Sequence, residues 1–275
     1  MAEQIIGTLA DFGARDLAAA GGKGANLGEL VRAGFPVPPG FVVTTAAYRL
    51  LLDQAGLGTE LERLLAAPDS RRAGGVRGRA AEHQGPAGVN GARIRTVFAA
   101  AAVPAQLQDR IAAAYRDLGG GPVAVRSSAT AEDLPGAAFA GQQDTFLDVE
   151  GEAALIRAVA DCWASLWTDR AIAYRARNGI DPHEVAIAVV VQRMVPAAAA
   201  GVLFTANPVT GERSELVVEA AAGLGEAVVS GQVTPDSYVL DRGGRLLRFT
   251  PGRPESETDD GGRQRARAVP PEAGG

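Results

Sequence analysis

GPVAVRSSATAEDLPGAAFAGQQDTF, residues 121–146, decides how this chain is read. It opens on Val123 and Val125, whose alternation is the signature of a strand with one buried face. Arg126 ends that strand on the face opposite the valines. Ser127, Ser128 and Thr130 then add hydroxyl donors, and Gly136 and Gly141 let a loop fold down over a ligand. A guanidinium held on a sheet binds phosphate through two parallel hydrogen bonds. Glu132 and Asp133 would repel phosphate unless a metal or an arginine intervened. An isolated Arg-Ser-Ser reads as an ordinary polar loop with a surface ion pair, but a polar loop of about twenty residues usually carries a function.

Upstream, GGKGANLGELVRAGFPVPPGFVV (21–43) sets Leu27, Leu30 and Val31 at helical spacing, with Gly34 as the stop. A short helix therefore starts close behind Lys23. Gly21, Gly22 and Gly24 permit close backbone approach at its mouth, and Lys23 adds a point charge. The spacing matches neither the P-loop nor the dinucleotide fingerprint, so a flexible turn with a solvated lysine explains it as readily. Prolines 36, 38 and 39 forbid continuation, 41–43 read as a strand, and Thr44 or Thr45 caps a helix running through Leu52.

Downstream, VAIAVVVQRMV (185–195) is too continuously apolar for a half-exposed strand and belongs at the centre of a sheet. Gln192 near its end carries an amide that needs partners, which an adenine edge or backbone would supply. GVLFT, SELVVEA and SYVLD follow as further strands, separated by turn signals such as Asn207-Pro208 and Thr210-Gly211. Residues 68–91 lack an apolar period and read as a mobile insertion, after which order resumes at Pro104 with Leu107, Ile111, Tyr115 and Leu118 on one helical face. Residues 145–149 alternate as a strand. Leu155, Val159, Cys162, Trp163, Leu166 and Trp167 line one helix whose continuation ends at Asn178 and Gly179. The class is α+β, or mixed α/β, and residues 253–275 form a linker or disordered tail.

Composition narrows the function. The chain has 275 residues, 47% of them hydrophobic, enough for one large or two smaller cores. A net charge of -5 argues against gripping nucleic acid or an anionic membrane. One cysteine, Cys162, excludes an internal disulfide, and two histidines exclude a zinc cluster of ordinary spacing. No leader and no apolar run of about 18 residues is evident, which fits a cytoplasmic protein. His83 falls in the insertion and His183 in a turn. Glu219 and Glu226 are metal-ligand candidates, although a solvated or ion-paired glutamate is the commoner case.

Five motifs in order resemble one family: 21–48, 123–147, 189–195, 201–211 and 220–238 are similar to the nucleotide-binding domain of the phosphoenolpyruvate synthase and pyruvate phosphate dikinase family, which rifampin phosphotransferases share. The resemblance runs from about residue 6 to 241. It implies an ATP-grasp fold, with a first subdomain at 1–195 and the start of a second, apparently incomplete, at 196–252. By similarity, Lys23 and Arg126 contact the phosphates of ATP as the catalytic residues, Gly141 and Thr145 belong to the covering loop, and Gln192 lies by the adenine. Mg²⁺ is implied, with ligands unknown. The family passes a pyrophosphoryl group from ATP to a histidine on a separate swivelling domain, then a phosphoryl group to pyruvate or rifampin. The chain has no such histidine domain, nor the family's later metal-binding residues. It reads as a fragment, one subunit of a split system, or a non-catalytic nucleotide-binding module.

Overall fold

The computed structural model describes residues 4–66, 91–130, 145–177, 179–181 and 185–252. Of the insertion read at 68–91 only Gly91 is described. Gly136, Gly141, Glu132, Asp133, both histidines and the tail at 253–275 lie outside the described residues. The chain divides into two compact units, Met1–Met194 and Val195–Gly275.

The first unit is built on a sheet of β1 (Ile6–Thr8), β2 (Gly40–Val43), β3 (Val123–Ala129), β4 (Thr145–Val149) and β5 (Ile187–Arg193), in the order β1-β2-β5-β3-β4. Every adjacent pair is antiparallel. The apolar run at 185–195 is thus the middle strand, and its continuity has a simple cause. Both faces of the sheet are covered, so β5 has no solvent side on which a polar residue would be favoured.

On one face Phe41, Val43, Val123, Val125, Val189 and Val191 join a core with α2 (Thr45–Gln54), α3 (Leu57–Ala66), α4 (Gly91–Ala100), α5 (Ala105–Asp117), α6 (Glu152–Ser165) and α7 (Asp169–Arg177). Complete burial of such a valine stabilises by about 1.5–3 kcal/mol. On the other face Val42, Ala188 and Val190 meet Leu9, Phe12 and Ala20, the last from α1 (Leu17–Arg32). Helix α1 stops as its sequence requires. Gly34 turns left-handed at φ 79°, while Phe35 N–H donates to Leu30 O and Gly34 N–H to Val31 O, the paired bonds of a Schellman cap.

Several local expectations change. Order resumes at Gly91 rather than Pro104, because Ile94 and Phe98 form a short apolar stripe on α4. The helix read through Trp167 ends at Ser165, and α7 follows after a break; Leu166 and Trp167 remain buried past the helix end. Thr44 occupies the N-cap position of α2 but does not cap it, since its hydroxyl donates to Gln4 O at 2.6 Å. In β4 an extra residue separates the partners of Val123 and Val125, which are Val149 and Phe146. The bulge, with Asp148 at φ 52°, returns both Phe146 and Val149 to the core side.

Trp167 packs and also pairs. Its indole N–H donates to Tyr48 Oη at 3.0 Å, and the Arg175 guanidinium lies 5.0 Å above its ring while donating to Leu166 O at 2.8 Å. Burial draws the Arg175 pKa down to about 10 and pushes the Tyr48 phenol up.

The second unit is an antiparallel sheet of β6 (Ala199–Phe204), β7 (Glu215–Ala222), β8 (Asp236–Asp241) and β9 (Leu246–Thr250), in that order, with α8 (Gly225–Val229) against β6 and β7. The turn signals at 207–211 act through Asn207. Its Oδ1 accepts from Val209 N–H at 3.0 Å and Thr210 N–H at 3.2 Å, and its Nδ2 donates to Glu215 Oε2 at 2.7 Å. Strands β1 and β9 and helices α3, α4, α7 and α8 are elements the sequence reading did not assign. Among the described residues no helix is long and apolar enough to cross a membrane.

Candidate functional site

The helix expected just behind Lys23 in fact encloses it. Helix α1 is broken at Gly21, where φ is 66° and ψ 175°, a combination that only glycine adopts readily. Lys23 lies in the first turn after that break and is half-buried. The turn presses flat on the sheet because its contact face is small. A Cβ on Gly21 would come within 2.2 Å of Ser128 O, and one on Gly24 within 3.3 Å of Val42. Further along, a Cβ on Gly28 would come within 2.0 Å of Phe12 O. Before the break, Thr45 Oγ1 holds Ala18 O at 2.8 Å.

Ser128 closes the break from the sheet side. Its hydroxyl donates to Ala20 O at 2.8 Å and accepts from Gly24 N–H at 3.3 Å. Those two groups are the donor and acceptor of one helical rung, so the hydroxyl is inserted where the helix's own bond would run. The GGKG turn and the Arg-Ser-Ser segment, about a hundred residues apart in sequence, are thereby fixed to one another.

Arg126 does not end its strand. Strand β3 continues for three more residues to Ala129, and Arg126 sits in its middle, opposite Thr145 of β4 and Val190 of β5. Alternation puts it on the α1 face with Ser128, while Val123 and Val125 face the larger core as expected. The strand continues because Ser127 and Ser128 are fully buried and pair with Val189 and Ala188. Their expected role as loop donors is corrected accordingly. Ser128 is committed to α1, and Thr130 Oγ1 donates to Ala186 O at 3.2 Å.

Gln192 shares this face. It pairs with Ala124, two residues before Arg126, and with Gly40 across β2. Its side chain is buried, with Nε2 donating to Pro38 O at 2.9 Å, so backbone supplies one partner for its amide. The close seat requires Gly40, since a Cβ there would come within 2.4 Å of Val191 O. Thr145, the first residue of β4, is exposed. Sheet pairing thus brings Arg126, Thr145 and Gln192 to one side of the sheet, and the Ser128 tether brings the turn of Lys23 to the same side. Gly141 lies outside the described residues.

Glu219 and Glu226 belong to the second unit. Glu219 stands between Val202 and Ser237 in the sheet, and Glu226 is exposed on α8. Among the described residues no three His, Cys, Asp or Glu side chains converge as a metal site. The sequence reading missed Ser128 as the connector and Gly21 as the break. The available signal was parity: in a strand through Ala129, Ser128 falls on the face of Arg126.

The family model described as pyruvate phosphate dikinase, AMP/ATP-binding domain, matches residues 17–257. A probable phosphoenolpyruvate synthase of Methanothermobacter thermautotrophicus is 46% identical over 98% of this chain and 39% of its own length. The phosphoenolpyruvate synthase of Pyrococcus furiosus is 43% identical over 88% of the chain and 33% of its own length. A rifampicin phosphotransferase of Streptomyces is 46% identical over 90% of the chain and 28% of its own length. The chain therefore spans less than two fifths of the relatives it matches.

Proposed function

The chain belongs to the pyruvate phosphate dikinase AMP/ATP-binding domain family, and on that basis we propose that its first unit holds the phosphates of Mg-ATP between Lys23 and Arg126. The observation that carries this reading is the Ser128 tether, which brings the lysine-bearing turn to the sheet face of Arg126. Two cations of different shape suit a polyphosphate: the planar guanidinium grips two oxygens at once, and the ammonium supplies a mobile point charge. Thr145, adjacent to Arg126 across the strands, and Gly141 belong to the segment that covers the phosphates. Gln192 faces the adenine, its orientation fixed by Pro38 O. The architecture is ATP-grasp, with a first subdomain over 1–195 and a second starting at 196–252.

Mg²⁺ bound with the phosphates would shield their charge; no residue of this chain is assigned to hold it. The protein's own part is to position the phosphates and stabilise charge that shifts as the bond between the α- and β-phosphates breaks, the chief source of catalysis in phosphoryl transfer. The pyrophosphoryl group would pass to a histidine on a separate swivelling domain, leaving AMP; water would then release its terminal group as phosphate, and the remaining phosphoryl group would pass to pyruvate as the final acceptor. Rifampin is the second reading. It is favoured by the Streptomyces relative, which is as similar to this chain as the Methanothermobacter one.

Titration calorimetry with Mg-ATP tests the site. Lys23→Ala and Arg126→Ala should each weaken binding at least tenfold, about 1.4 kcal/mol or more, with circular dichroism unchanged. Wild-type affinity in both folded variants would refute the assignment.

A further inference from the structure

We propose that Ser128 is a positioning residue for nucleotide binding, setting the place of Lys23 by substituting for a missing rung of α1; this rests on the reading of Lys23 given above. The break at Gly21 removes the helical constraint that would otherwise fix the turn carrying Lys23. The groups on either side of it, Ala20 O and Gly24 N–H, are both held by the Ser128 hydroxyl, at 2.8 and 3.3 Å. Lys23 lies between them in sequence. Ser128 is fully buried and two residues beyond Arg126 on a strand paired along its length to β5. It therefore cannot shift without moving the strand that carries the arginine. A single hydroxyl, committed to two backbone groups of α1, sets the spacing between the two cations.

Thr45 anchors Ala18, on the far side of the break from Lys23, and the glycine contacts press the turn inward without fixing its rotation. The hydroxyl is the directional element, because it specifies one donor and one acceptor.

A double-mutant cycle on the full chain, read by Mg-ATP calorimetry, tests the inference. Ser128→Ala in the wild-type background should weaken affinity about three- to tenfold, the range expected for one lost hydrogen-bonding group. In the Lys23→Ala background the same change should add nothing, since the residue through which it acts is gone. If the two effects multiply, or if Ser128→Ala alone leaves affinity unchanged, the positioning role is overturned while the nucleotide site stands. If Lys23→Ala itself leaves affinity unchanged, the site reading fails first and takes the inference with it. Should Ser128→Ala not fold, amide exchange in the unmutated chain decides. Gly24 N–H should be protected at the level of the β3–β5 ladder, and rapid exchange there would overturn the proposal.

Discussion

Replacing Gly21 by alanine should be among the most damaging single-methyl additions in this chain, and the structure separates its two costs. The backbone there has φ 66° and ψ 175°, a region whose occupation by a side-chain-bearing residue costs about 1–3 kcal/mol. The added Cβ would also come within 2.2 Å of Ser128 O and 2.6 Å of its carbonyl carbon. These are backbone atoms of a buried strand residue paired to Ala188 of β5, and overpacking against such a wall adds about 1–3 kcal/mol. The expected destabilisation is therefore about 2–6 kcal/mol, a large part of the roughly 5–15 kcal/mol available to a domain. Gly34→Ala isolates the first cost. Its φ is 79° but no atom lies within 4 Å of the added Cβ, so about 1–2 kcal/mol is expected. Gly28→Ala isolates the second, because a Cβ there would come within 2.0 Å of Phe12 O in a regular helical turn. Urea unfolding of the three variants, compared at constant slope, gives the ranking. Gly21→Ala should exceed Gly34→Ala by 1 kcal/mol or more, as roughly estimated from the overpacking term. Equal midpoints for these two would refute the claim that the turn is pressed against the Ser128 backbone.

Tyr48 is buried and raised above the ordinary phenol range, chiefly by desolvation. Above pH 10 the unfolded chain releases this proton while the folded chain keeps it, so folding stability falls as pH climbs. Ultraviolet titration should show a late-ionising phenol signal whose amplitude Tyr48→Phe reduces; the substitution should also cost about 1–3 kcal/mol by leaving the Trp167 indole N–H unpaired. In the β8–β9 turn, Asp241 is held below the usual carboxylate range, first by the Arg245 N–H and also by the Arg245 side chain and Gly243 N–H. Its contribution is present above the unfolded pKa near 4 and is lost as pH falls through the folded value. Amide protection factors in this hairpin, taken relative to the intrinsic rate at each pH, should fall on acidification, and Asp241→Asn should remove most of that dependence.

The readings that held did so because they rested on local periodicity. The buried run at 185–195 read as a central strand, Leu107, Ile111 and Tyr115 read as one helix face, and Gly34 read as a helix stop; each outcome follows from a few adjacent residues. The elements missed were short or interrupted. Helix α4 presents only Ile94 and Phe98 behind a stretch without pattern, and α7 starts so close behind α6 that Leu166 and Trp167 prolong the apparent stripe. Arg126 was placed at a strand end because three polar residues follow it. The structure keeps Ser127 and Ser128 in the strand, where pairing with Val189 and Ala188 offsets the burial of their backbone groups.

By itself the sequence determined the mixed class, the central strand, the identities of Lys23, Arg126, Thr145 and Gln192 as a candidate set, and the family whose motifs they follow. Only the tertiary structure decided what joins them. A hydroxyl on β3 restores a broken rung of α1, and a carbonyl at Pro38 takes the amide of Gln192. Helical and strand periodicities record which face a residue is buried on, and so they survive in a linear sequence. A hydrogen bond between groups a hundred or more residues apart has no period; it exists only once the two segments have been brought into contact, and here a glycine at φ 66° makes that approach possible.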